Sequence, residues 1–183
     1  MSSVFDHVGP WRFDQLDGLP DDGRRYEVVD GGLLVTPPPG HLHQAVGALL
    51  LRQLQQQCSE DWQVFYEFAL PLGHDGRVPD LAVVAGDAPV RGAGPYPVGP
   101  EHFGLVVEVV SPSSRKTDRF AKPGEYAEAG IPLFWRVETG PELLLVAHRL
   151  LGSTYEVVQR VSTEGLVPAP WGEVTVDLRP LAS

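Results

Sequence analysis

A mixed α/β (α+β) domain, with helices set around a central mixed sheet, is the fold class the sequence predicts, and three observations predict it. Short runs rich in Val, Leu, Phe and Trp recur along the chain with turn residues between them, the mark of strands. One segment, residues 41–57, carries apolar side chains at helical spacing. The order is hairpin, helix, three strands, helix, strand, hairpin, which suits helices packed on a sheet. At 183 residues and 43% hydrophobic content the chain can bury one core and is short for two, so a single domain over residues 1–183 is expected.

The first element, YEVVDGGLLV (26–35), is two apolar runs around Asp-Gly-Gly, a hairpin signal that TPPPG stops. HLHQAVGALLLRQLQQQ (41–57) places Leu42, Val46, Leu49, Leu50 and Leu54 on one face and glutamines on the other, an amphipathic helix. WQVFYEFALPL and RVPDLAVVAG, separated by GHDG, read as two strands. Residues 87–102 are dense in Gly and Pro and read as a surface loop. FGLVVEVV (103–110) is apolar almost throughout, a strand covered on both faces. Helical character around 118–129 ends at Gly130 and leads into the strand IPLFWRVE. ELLLVAHRL and TYEVVQRV form an antiparallel C-terminal extension, followed by a short VTVDL.

Composition narrows the function classes. No apolar run approaches the roughly 18 residues of a membrane span, and MSSVFDHVGPWRFD lacks the basic and apolar regions of a secretion signal, so the expected compartment is the cytoplasm. Cys58 is the one cysteine, which excludes an internal disulfide and a thiolate zinc cluster. A net charge of −10 argues against sequence-blind, purely electrostatic nucleic-acid binding. Any such contact must be local. Twelve of the 14 basic residues are arginines; the two lysines, Lys116 and Lys122, both follow Glu108 closely.

Three successive predicted strands each carry one acid inside an apolar run: Glu67 in FYEFAL, Asp80 in VPDLAVV and Glu108 in LVVEVV. A buried carboxylate costs several kcal/mol unless a cation, a metal ion or a shifted pKa compensates it. Acids at matching heights on strands about 4.8 Å apart can bracket one divalent ion, and Mg²⁺ suits a site of few carboxylates. Each acid also has a plainer reading. Asp80 suits a solvated strand start, Glu67 the wet side of an alternating strand, and Glu108 a structural salt bridge to an arginine. After the SPSS turn come Arg115, Lys116, Arg119 and Lys122 against Asp118, cations suited to a phosphate or a developing oxyanion. For Arg115 and Arg119 an ordinary solvated helix start explains the charge as well.

The stretches YEVVDGGLLVTPPPG, His43-Gln44, VPDLAVV, LVVEVVSPSSRKTD, and Lys122 with EYAEAGIPLFW together resemble the Uma-two family of restriction endonucleases in the PD-(D/E)XK nuclease superfamily. The resemblance spans roughly residues 12 to 150. It implies a restriction-endonuclease-like core, with Asp80 and Glu108 as metal ligands at strand ends and Lys122 as the motif's lysine. The superfamily's usual pattern puts that lysine two residues after the acid, where this chain has Val110. Lys122 can serve if the following helix folds back over the strand ends. Pro123-Gly124 then places it at a helix start or kink, and Lys116 is the reserve candidate. Glu27 and His43 match family positions that line the same cleft, with roles in metal binding or proton handling.

The function this implies is Mg²⁺- or Mn²⁺-dependent hydrolysis of a phosphodiester in nucleic acid, with DNA as the expected substrate. Asp80, Glu108 and the backbone carbonyl of Val109 would hold the ion, with Glu67 as a further ligand, and Lys122 would orient or deprotonate the attacking water. A homodimer that pools its cations along a cleft is the expected assembly, a basic partner protein the other arrangement. The competing reading is a nuclease-like fold that does not cut and serves as a DNA-binding or protein-interaction module. A serine hydrolase, suggested by SPSS alone, is set aside because the chain has no G-x-S-x-G elbow.

Overall fold

The computed structural model describes residues 8–90, 98–111 and 117–181, with residue 118 by its backbone alone. Strands β1 (Arg25–Val29) and β2 (Gly32–Thr36) precede α1 (His41–Gln57), and β3 (Trp62–Tyr66), β4 (Leu70–Leu72), β5 (Asp75–Arg77), β6 (Leu81–Ala85) and β7 (Phe103–Val110) follow. After a π-helical turn at Thr117–Ala121 come α2 (Lys122–Glu128), β8 (Leu133–Glu138), β9 (Leu144–Leu151), β10 (Thr154–Val161), β11 (Glu164–Ala169) and β12 (Gly172–Asp177). The central sheet has six strands in the order β10-β9-β8-β7-β6-β3, and within it only β7 and β8 run parallel. Among the described residues no helix is long and apolar enough to cross a membrane.

Strand alternation sorts the core onto two faces. Leu81, Val83, Leu105, Val107, Val109 and Trp135 face α1, whose Val46, Leu49, Leu50 and Leu54 fill that side. Ala82, Val84, Val106 and Phe134 face the other way, against Tyr126 of α2 and Ile131. All eight residues of β7 are buried, as its apolar run predicts for a strand covered on both sides. Leu42, expected on the apolar stripe of α1, is exposed; it lies one turn ahead of Val46, the first buried residue of that helix.

WQVFYEFALPL is not one strand. Glu67 takes a left-handed backbone with φ of 49°, which is uncommon for a residue with a side chain. The chain turns there, leaving β3 in the central sheet and sending β4 into a separate four-stranded sheet, β2-β1-β5-β4. RVPDLAVVAG divides in the same way: β5 ends at Arg77 and β6 begins at Leu81, with Pro79, which has no amide to donate, in the crossing between sheets. The small sheet packs on the 3-10 turn Phe13–Gly18, an element without sequence pattern that buries Phe13 and Leu16. A side chain at Gly76 would strike the Phe13 ring, so that contact requires glycine. VTVDL forms β12 and pairs with β11, which the sequence hid behind its Gly and Pro residues. Of the expected loop at 87–102, residues 91–97 lie outside the described residues.

Candidate active site

The strand registers bring the three acids to one level. Tyr66 pairs with Leu81, and Leu81 with Val107, so the next step outward sets Glu67, Asp80 and Glu108 side by side across β3, β6 and β7. The Glu67 amide donates to the Asp80 carbonyl at 3.0 Å, which continues the ladder one step past β3. Residue parity then puts Asp80 with Ala82 and Val84, and Glu108 with Val106, on the face that α2 covers.

Asp80 and Glu108 are each 1% exposed, and protein donors meet both oxygens of both carboxylates. Asp80 Oδ2 accepts the Val109 amide at 2.7 Å, replacing the ladder carbonyl that β6 no longer supplies. His43 Nε2, in the first turn of α1, lies 3.1 Å from the same oxygen. Asp80 Oδ1 accepts from the Arg25 guanidinium at 2.8 Å, and Arg25 also donates to Glu67 Oε1 at 2.6 Å. Burial pushes the Asp80 carboxyl up, but the His43 hydrogen bond and the charges on Arg25 and Lys122 outweigh it and hold the group at about 2. Burial likewise opposes the charge on Arg25, and the Asp80 carboxylate and Glu67 more than offset it, so its pKa is raised.

Glu108 is paired with a lysine rather than an arginine. Lys122 Nζ donates to Glu108 Oε2 at 2.8 Å, and the Tyr126 hydroxyl donates to Oε1. Both donors come from α2, one turn apart, so the helix folds back over β7 as the displaced lysine requires. Lys122 stands where the π-helical turn Thr117–Ala121 passes into α2, with Pro123 next. Burial and the Glu108 charge drive the Tyr126 phenol well above its usual range, so it stays a proton donor.

Not every expected residue joins this group. Glu27 is buried, but its oxygens accept the Val78 amide at 2.9 Å and stand 3.6 Å from Arg77, whose fork grips Glu125 at 2.6 and 2.7 Å. This second network borders the first at Tyr126. Val109 enters through its amide. Lys116 and Arg115 lie outside the described residues. Arg119 is held in a fork by Glu138, as an ordinary structural pair. Sequence reading missed Arg25 and Tyr126. Arg25 sits 55 residues before Asp80, and Tyr126 lies in the EYAEA stretch, which read as helical and carried no chemical signal.

Among the described residues, no three His, Cys, Asp or Glu side chains are arranged to hold an ion. Two carboxylates on one face nevertheless fit Mg²⁺ or Mn²⁺, because Mg²⁺ is commonly held by one or two carboxylates, with water and substrate phosphate completing its shell.

The family whose sequence pattern matches residues 12–172 is Uma2, described as "Putative restriction endonuclease". No curated protein matches the chain. The fold is similar to the crystal structure of a "putative nuclease belonging to DUF820" from Anabaena variabilis, with a TM-score of 0.67 and 17% identity over 87% of this chain and 89% of that one. At that identity the likeness concerns the fold, and the family match covers most of the chain, including every acid of the row. The protein therefore belongs to the Uma2 family.

Proposed function

We propose that the protein is a divalent-metal-dependent nuclease that hydrolyses phosphodiester bonds in DNA. The observation that carries this reading is the level row of Glu67, Asp80 and Glu108 with the Lys122 ammonium bonded to Glu108. Asp80 and Glu108, with the backbone of Val109, are the groups that would hold Mg²⁺ or Mn²⁺. When bound, such an ion supplies Lewis-acid polarisation of the phosphate and acidifies water. Lys122 orients the nucleophile and neutralises charge that develops on the phosphoryl oxygens. His43 and the Val109 amide fix the Asp80 carboxylate, and Tyr126 fixes Glu108.

Incubation of the purified protein with plasmid and with single-stranded DNA, in Mg²⁺ or Mn²⁺, tests the activity. Cleavage is expected from the native chain and none from Asp80→Ala; cutting that persists in the variant would come from a contaminant. With a net charge of −10, a homodimer pooling its cations is the proposed DNA-binding form, and light scattering on the protein with and without DNA reads its mass.

One observation favours a second reading, a fold that does not cut and binds DNA or protein: every oxygen of Asp80 and Glu108 already has a protein donor. Calorimetric titration with Mn²⁺ separates the two. A nuclease binds the ion and Glu108→Ala abolishes binding, whereas a silent scaffold shows no such heat.

A further inference from the structure

Arg25 stands where a cation is needed, yet it comes from outside the central sheet. Its strand, β1, belongs to the small four-stranded sheet. One guanidinium nitrogen reaches both Glu67 Oε1, at 2.6 Å, and Asp80 Oδ1, at 2.8 Å, and the side chain is 15% exposed. Glu108 also acts on it electrostatically. Among the described residues, the three acids at one level thus meet two fixed cations, Arg25 from the hairpin and Lys122 from α2. A guanidinium does not deprotonate in proteins, so only exchange of position, not pH, can remove its charge from the row.

Resting on the metal-dependent reading above, we propose that Arg25 is a resident counter-cation that competes with the divalent ion for Asp80 and thereby sets the affinity of the site. The guanidinium satisfies the acids while no ion is bound and keeps the strand ends folded. An ion taking Asp80 Oδ1 must displace it, because the two positive charges would otherwise share one oxygen. Lys122 bonds Glu108 Oε2 and not Asp80, so the competition at Asp80 Oδ1 belongs to Arg25.

The test is calorimetric titration of Mn²⁺ into the native chain, Arg25→Met, Arg25→Gln, Arg25→Lys and Asp80→Ala, with the Mn²⁺-dependent rise in melting temperature as a second readout. Removing a like charge adjacent to the ion is expected to tighten binding at least about tenfold in Arg25→Met. Arg25→Gln, which keeps a donor for Asp80, gives the same direction if the Met variant folds poorly. Arg25→Lys, which keeps the charge, stays near the native affinity. Binding that is unchanged or weaker in the neutral variants overturns the competition while leaving the metal site standing. Absence of Mn²⁺ binding in every protein overturns the metal-dependent reading, and the proposal with it.

Discussion

Two buried charge networks flank Tyr126, and they are built differently. In one, Arg77 lies between Glu27 and Glu125, grips Glu125 with a fork and is 2% exposed. The cation is central, its acids come from β1 and α2, and the network ties the small sheet to the helix. In the other, the acids are central: Glu67, Asp80 and Glu108 stand abreast on adjacent strands, and their cations arrive from the hairpin and from α2. Burial of charge alone does not mark a site. Arg77 forks one acid and faces a second, so its charge is already matched by two carboxylates, whereas acids set side by side with cations borrowed from other elements are the arrangement in which one cation can replace another.

This contrast is broken first by Arg77. Arg77→Met leaves Glu27 and Glu125 without their shared cation, and a loss of about 3–5 kcal/mol in urea unfolding is expected, with Mn²⁺ binding retained wherever the variant folds. A small loss of stability would remove the distinction between strut and site. Lys122→Met acts on the other network: cleavage falls about a hundredfold, equivalent to about 3 kcal/mol of barrier, while Mn²⁺ still binds. Single-turnover rates with plasmid check this, and a rate near native would take Lys122 out of the reaction.

Acid unfolding sharpens the comparison further. The Asp80 carboxyl sits at about 2 in the fold against an ordinary 3.8, so its stabilisation is fully present above the ordinary value and disappears as pH falls toward 2. About 2 kcal/mol should be lost over that window, and Asp80→Asn should flatten this part of the stability curve. The smallest effect is expected from Tyr126→Phe, which deletes one donor to Glu108 and costs about 1.5 kcal/mol; Lys122 keeps Glu108 paired, and the metal affinity moves little in titration.

Much of the frame was legible. The spacing of Val46, Leu49, Leu50 and Leu54 gave α1 its bounds, the run around Glu108 gave the central strand, and acids in successive strands raised the question of a shared level, which the registers answer. The helix start or kink that Pro123 implies at Lys122 is the junction between the π-helical turn and α2. What stayed hidden depends on contacts between distant segments. Arg25 has no local signal, since its role exists only once the hairpin docks against Glu67 and Asp80. The break at Glu67 is a single left-handed residue inside an aromatic run, and nothing in WQVFYEFALPL announces it. Glu27 matched the family's pattern, but its partner was decided by where β5 brings Arg77.

The most direct measurement is anomalous diffraction from a crystal soaked in Mn²⁺. An ion peak between the carboxylates of Asp80 and Glu108 is expected, with the Arg25 guanidinium moved off Asp80. Density showing Arg25 still bonded to Asp80, with no ion beside Glu108 at saturating Mn²⁺, would contradict it.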